Sequence, residues 1–192
     1  MTKKPILLDI PNQIESERLI LRAPHPGEGA MVNAATRESL AELQPWFPWV
    51  HPVPAPEDTE EYLRRSAAQW LLREQFSGII IRKEDEELVG ALGLMPRNWD
   101  AAYFEIGYWA RTSMTGHGYI TEAVNAMTAF AFKTLQAQRV EIRCDARNER
   151  SAAVARRAGF SYEGRLRNYG RDPQGELFDM IYYSKVRAEF ES

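Results

Sequence analysis

The chain of 192 residues carries a formal net charge of −3, with 27% charged and 44% apolar residues. This is the balance of a folded protein with a substantial core, and it excludes a disordered or membrane-embedded chain. The negative charge removes the broad attraction to phosphate backbones on which nucleic-acid binders rely, and no apolar run approaches the roughly 20 residues of a spanning helix.

From Ile14 to Pro24, IESERLILRAP predicts a short strand with Leu19 and Leu21 on one side and Ile20 and Arg22 on the other, stopped by Pro24 and Pro26. Gly27 to Leu43 reads as one or two short helices. The aromatic, proline-rich QPWFPWVHPVPAP that follows reads as an irregular loop. It either covers the core or forms a ligand-pocket wall from Trp46, Phe47 and Trp49. A helix is expected from Asp58 to Glu74, capped by Asp58 or Thr59, with an apolar stripe of Leu63, Ala67, Trp70 and Leu71.

Ile79 to Ile81, the charged turn KEDEE and LVGALGL predict a hairpin, and AAYFEIGYWA predicts a further strand ending near Arg111. After a loop at 112–115, Ile120, Ala123, Val124, Met127 and Ala131 mark one face of a helix running through Phe132. VEIRCD alternates as a strand that buries Cys144 with Val140 and Ile142. ERSAAVARRAG is a helix closed by Gly159, FSYEG opens a strand, and LFDMIYYSKV is the last one. The alternation implies an α/β (α+β) chain with a mixed sheet and helical crossovers.

One cysteine excludes an internal disulfide framework, and His25, His51 and His117 have no spacing that gathers a metal. Ile6 to Leu8 is too short an apolar run for a secretory core. One cytoplasmic domain spanning 1–192 is therefore expected, with no metal, membrane or nucleic-acid partner.

The richest segment is SMTGHGYITEA. Gly116 and Gly118 stand between a strand and an amphipathic helix, where a tight bend can turn main-chain N–H groups toward a diphosphate. A ligand-free tight turn is the other reading. There is no GxxxxGK[ST], and the third glycine of a dinucleotide fingerprint is missing.

Together with SERLILR, QPWFPW, FEIGYW and NERSAAVARRAGFSYEGRLR, this segment resembles the acetyl-CoA loop of the GNAT superfamily of N-acetyltransferases. The ordered set is similar to the subgroup of RimJ/RimL ribosomal-protein N-terminal acetyltransferases. The resemblance implies a mostly antiparallel sheet flanked by helices and splayed at an acetyl-CoA cleft. It implies acetyl-CoA held by Trp109, Arg111, Ser113, Met114, Thr115, Gly116, His117, Gly118, Tyr119, Asn148 and Ser151. Thr115 stands where the family usually has Gln or Arg, and Ile120 where it has Gly or Ala, so one side-chain contact to the diphosphate is lost or rerouted, with Arg111 as the candidate.

By the same resemblance Glu105 is the general base and the Tyr108 amide polarises the thioester oxygen. A carboxylate among Tyr103, Phe104, Ile106, Tyr108 and Trp109 would be poorly hydrated; otherwise it is a surface charge or the partner of an arginine. Asn148 would meet the pantetheine arm, and Ser151 would relay a proton to the sulfur, unless both simply start a helix. Many members carry a tyrosine acid where this chain has Ala155. Trp46, Trp49, Glu105 and Asp179 are the expected acceptor contacts, with Asp179 alternatively binding backbone beside Gly175. The implied acceptor is a protein N-terminal α-amine or a small metabolite or drug amine. A non-catalytic acyl-CoA sensor is the competing class. Aromatic residues around Trp46 and Tyr182 leave room for a homodimer.

Overall fold

The computed structural model describes residues 4–191; Met1 to Lys3 and Ser192, the ends of the expected domain, lie outside the described residues. Eight strands form one sheet: β1 (Gln13–Glu15), β2 (Leu19–Arg22), β3 (Phe76–Arg82), β4 (Leu88–Asn98), β5 (Tyr103–Ala110), β6 (Arg139–Asp145), β7 (Ser161–Arg171) and β8 (Leu177–Val186). Their order is β1-β2-β3-β4-β5-β6-β8-β7, with β5 and β6 parallel and every other neighbouring pair antiparallel.

The helices are α1 (Gly29–Glu38), α2 (Leu40–Leu43), α3 (Pro56–Leu72), α4 (Tyr119–Lys133), α5 (Glu149–Arg157) and α6 (Arg187–Glu191). The β5–α4–β6 crossover is what permits the parallel pair. Val32, Ala35 and Leu63 of α1 and α3 pack with Ile79, Ile81 and Leu88 on one face. The larger core lies on the other, where Ala123, Val124 and Met127 of α4 and Ala152 and Ala155 of α5 meet Phe104, Ile106, Val140 and Ile142. Among the described residues no helix is long and apolar enough to cross a membrane, and no cluster of metal-ligating side chains is found.

Several local readings change. IESERLILR is a hairpin and not one strand, because Ser16 turns the chain: its amide and hydroxyl both bond the Leu19 carbonyl. Helix α3 begins two residues before Asp58, with Pro56 in its first turn, and the Asp58 carboxylate accepts the Ala55 amide at 2.9 Å. Its buried stripe is Thr59, Leu63, Ser66 and Trp70, while Leu71 is exposed. Two of those four are polar, which the apolar periodicity passed over.

Candidate functional site

Strands β5 and β6 pair at Tyr103–Arg139, Phe104–Val140 and Glu105–Glu141, then part, although β5 continues to Ala110 and β6 to Asp145. The gap opens beside the N-terminus of α4. On its β5 side, Arg111 donates its amide to Val89 of β4 at 2.8 Å, and the β4–β5 register is continuous back to Met95–Glu105. Amide direction alternates along a strand, so the Tyr108 and Ala110 amides face the gap beyond the last paired row.

After β5 the chain makes a 3-10 turn at Thr112–Met114 and reaches α4 through two left-handed glycines, Gly116 at φ +83° and Gly118 at φ +79°. A side chain in that conformation costs about 1–2 kcal/mol, which is why glycine serves at both positions. Among the described residues, the amides of Gly116, His117, Gly118 and Tyr119 have no hydrogen-bond partner. These four donors and the positive end of the α4 dipole converge on one exposed bend, an arrangement suited to a diphosphate. The other loop residues are committed to local contacts. The Thr115 hydroxyl bonds the Thr112 carbonyl at 2.8 Å, the Ser113 amide goes to Glu38 at 2.9 Å, and Met114 is buried in the core.

The bend is braced by a residue the sequence reading did not single out. Arg18 binds Glu122 of α4 through its amide (2.8 Å) and guanidinium (2.7 Å), donates to the His117 carbonyl at 3.2 Å, and lies 4.6 Å over the Tyr119 ring. Burial opposes the Glu122 charge, but the Arg18 and Ser16 donors outweigh it and hold the carboxyl below its ordinary range. The available signal was an arginine within SERL and an acid in the first turn of the helix after the glycines. Arg111, by contrast, pairs with Glu38 at 2.7 Å and Glu87 at 2.8 Å, so a diphosphate contact would require it to give up those bonds.

Glu105 is buried, at 7% exposure, and faces the α1/α3 side of the sheet with Gly107 and Trp109. Its lost hydration is replaced by two cations: Arg97 bonds Oε2 at 2.7 Å and Arg143 reaches the same oxygen at 3.0 Å. Oε1 has no partner among the described residues. Burial opposes the Arg143 charge, but Glu105 and the Tyr182 hydroxyl more than offset it, so that guanidinium stays protonated.

On the opposite face the Tyr108 phenol reaches the first turn of α5, where its oxygen lies 3.0 Å from the Ser151 carbonyl and 3.1 Å from the Ser151 hydroxyl. Burial raises the phenol well above its ordinary range, so it stays protonated at neutral pH. Asn148 caps α5 by accepting the Ser151 amide at 3.0 Å, as an ordinary helix start does. Ala155 is fully buried, and the phenol from β5 is the tyrosine that reaches this helix. Cys144, with its thiol pushed up to about 11 by burial, lies in the adjoining core.

A cavity of about 410 Å³ lies on the Glu105 side, walled by Phe47, Trp49, Tyr62, Trp109 and, from α3, Thr59, Leu63 and Ser66. Trp49 and Trp109 rings stand 6.3 Å apart. Trp109, expected at the cofactor, therefore lies on the other face of the sheet, because β5 alternates. Trp46 is not on the cavity wall; Phe47 and Trp49 are. Asp179 is committed elsewhere: its two oxygens accept the Asn168 amide and the Arg165 guanidinium, both at 2.7 Å. These donors hold its carboxyl below the ordinary range. The backbone it binds is at Asn168, not beside Gly175.

Residues 18–161 match the family described as acetyltransferase (GNAT) domain. The putative ribosomal N-acetyltransferase YdaF of Bacillus subtilis (strain 168) is 36% identical over 107 residues, covering 56% of this chain and 58% of that protein. The chain thus spans under two thirds of that relative's length. The ribosomal-protein-serine acetyltransferase of Escherichia coli (strain K12) is 30% identical over 128 residues, 65% of this chain and 69% of that one. Among solved structures, RimL, described as a ribosomal L7/L12 alpha-N-protein acetyltransferase in complex with coenzyme A, matches with a TM-score of 0.83 at 24% identity. That match covers 92% of this chain and 99% of RimL, and at such identity it is a likeness of fold.

Proposed function

Because the chain belongs to the GNAT acetyltransferase family, we propose that its single domain moves the acetyl group of acetyl-CoA to a primary amine, the α-amine of a polypeptide N-terminus. The observation that carries this reading is the parting of β5 from β6 directly beside four unpartnered loop amides. The amides from Gly116 to Tyr119 fit the diphosphate, and the gap between the strands fits the narrow arm that follows it. When bound, acetyl-CoA supplies an acetyl group activated as a thioester.

The remaining chemistry falls to the chain. An amine arrives mostly as ammonium and must lose a proton before it can attack. Glu105 Oε1, unpartnered beside a carboxylate oxygen held by Arg97 and Arg143, takes that proton directly or through water. The Tyr108 amide stabilises the carbonyl oxygen as it gains charge. The hydrogen-bonded pair of Tyr108 phenol and Ser151 hydroxyl donates to the departing thiolate. Acceptor identity is supported by the names of the two relatives, both ribosomal acetyltransferases.

The test is an acceptor screen in which peptides with different first residues are incubated with acetyl-CoA, and both CoA release and peptide mass are followed. The expected result is a gain of one acetyl group on the α-amine. Acetyl-CoA binding without turnover on any amine would instead identify an acyl-CoA sensor.

A further inference from the structure

The cavity beside Glu105 is made by a shortage of side chains. On the α1/α3 face of the sheet, Ser77, Gly93 and Gly107 form one cross-strand row, and Ile79, Ala91 and Trp109 form the next. Side chains alternate faces along each strand, so the centre of this floor carries a hydroxymethyl, a methyl and two hydrogens. Above it α3 presents Thr59 and Ser66, which are also small. Trp49 and Tyr62 of the cavity wall are exposed, so this floor and α3 bound a solvent-open cleft of about 410 Å³.

The walls say what the filler is. Four of the lining residues, Phe47, Trp49, Tyr62 and Trp109, are aromatic. None of the lining residues is Lys, Arg or His, and the one carboxylate is Asp58. An anionic group would therefore enter without a counter-charge. The buried Ser66 hydroxyl, on the same wall, has no hydrogen-bond partner among the described residues, and a buried donor of that kind is normally satisfied. Tyr108, whose amide faces the strand gap, also lines the cavity, which therefore adjoins the reacting end of the proposed site.

We infer that the preferred acceptor is a primary amine bearing a bulky, uncharged, ring-containing group next to the reacting nitrogen, such as an N-terminal tyrosine, tryptophan or phenylalanine. This rests on the acetyl-transfer reading and specifies its acceptor. Small first residues leave the floor uncovered and the aromatic walls wet. Acidic ones are excluded by the lack of a cation.

The experiment compares kcat/KM for tripeptides beginning with Tyr, Phe, Ser, Gly and Asp, alongside tyramine and ethylamine. The two sets separate a peptide source of the ring-bearing amine from a small-molecule one. Tyr and Phe peptides, or tyramine over ethylamine, are expected to exceed the small amines by about 100-fold, on the scale of filling an apolar pocket. Gly107→Val should then fill the floor and cut that ratio at least about tenfold. A Cβ at Gly107 meets only the Met95 methyl, at 3.4 Å, so the fold accommodates it, and a circular-dichroism melt verifies this. Turnover with Ser, Gly or Asp peptides as fast as with Tyr overturns the inference while leaving acetyl transfer intact. Absence of turnover on every amine removes the functional reading itself.

Discussion

Strand β5 gives its two faces opposite chemistries. Toward α4 it sends Phe104, Ile106 and Tyr108 into the main core, ending in a phenol hydrogen-bonded to Ser151. Toward α1 and α3 it sends Glu105, Gly107 and Trp109, a paired carboxylate, a bare floor and an aromatic wall. In the proposed mechanism one strand thereby separates an acid side from a base side, with the Tyr108 amide in the gap between β5 and β6. Two-residue alternation alone gives neighbouring residues these distinct tasks.

Disabling the proposed base side should cost the most activity. Glu105→Gln is expected to lower kcat/KM by about 100-fold at pH values where the acceptor is mainly ammonium, and by less once the amine is already deprotonated. A pH–rate profile that merely scales down without changing shape would remove Glu105 as the base. On the acid side, Tyr108→Phe keeps the amide and deletes the hydroxyl. It should lower kcat by about tenfold with little change in KM for either substrate; an unaltered kcat would leave water as the proton source. Gly118→Val forces a branched side chain into a left-handed conformation at φ +79°. The strain of about 1–2 kcal/mol should weaken acetyl-CoA binding by about tenfold by calorimetry, while the affinity of the amine site is spared.

Two smaller effects concern stability. Burial holds the Cys144 thiol at about 11, so native protein should react with a thiol reagent far more slowly than unfolded protein at pH 8. Since the folded state disfavours the thiolate, its contribution to stability weakens as pH rises above the ordinary thiol value. Prompt labelling of native protein would contradict that burial. Glu163, drawn down to about 2 chiefly by Arg139, stabilises the fold fully above the ordinary glutamate value and loses that contribution as pH falls toward 2. The pair is partly exposed, so Glu163→Gln should lower stability at pH 7 by less than about 1 kcal/mol, a difference that disappears in acid.

Much of this architecture was legible in the residues. Alternation marked β6, the apolar stripe marked α4, and the glycines of SMTGHGYITEA marked the bend. What stayed hidden depended on contacts between distant segments. Nothing in the spacing tells that Arg18 reaches Glu122, or that Arg111 is taken by Glu38 and Glu87. The cavity was hidden for another reason: Gly93, Gly107 and Ser77 are unremarkable in isolation and form a floor only once register aligns them. The family resemblance also assigned Trp109 to the cofactor, although its side chain points to the other face.

The proposed chemistry depends most on the loop amides receiving a diphosphate. The direct measurement is a titration of amide-labelled protein with acetyl-CoA, followed by nuclear magnetic resonance. Saturable shifts at Gly116, His117, Gly118, Tyr119 and Tyr108 are expected, with little change at Asp179. Saturable binding that leaves those five amides unmoved, or no binding at all, would contradict it.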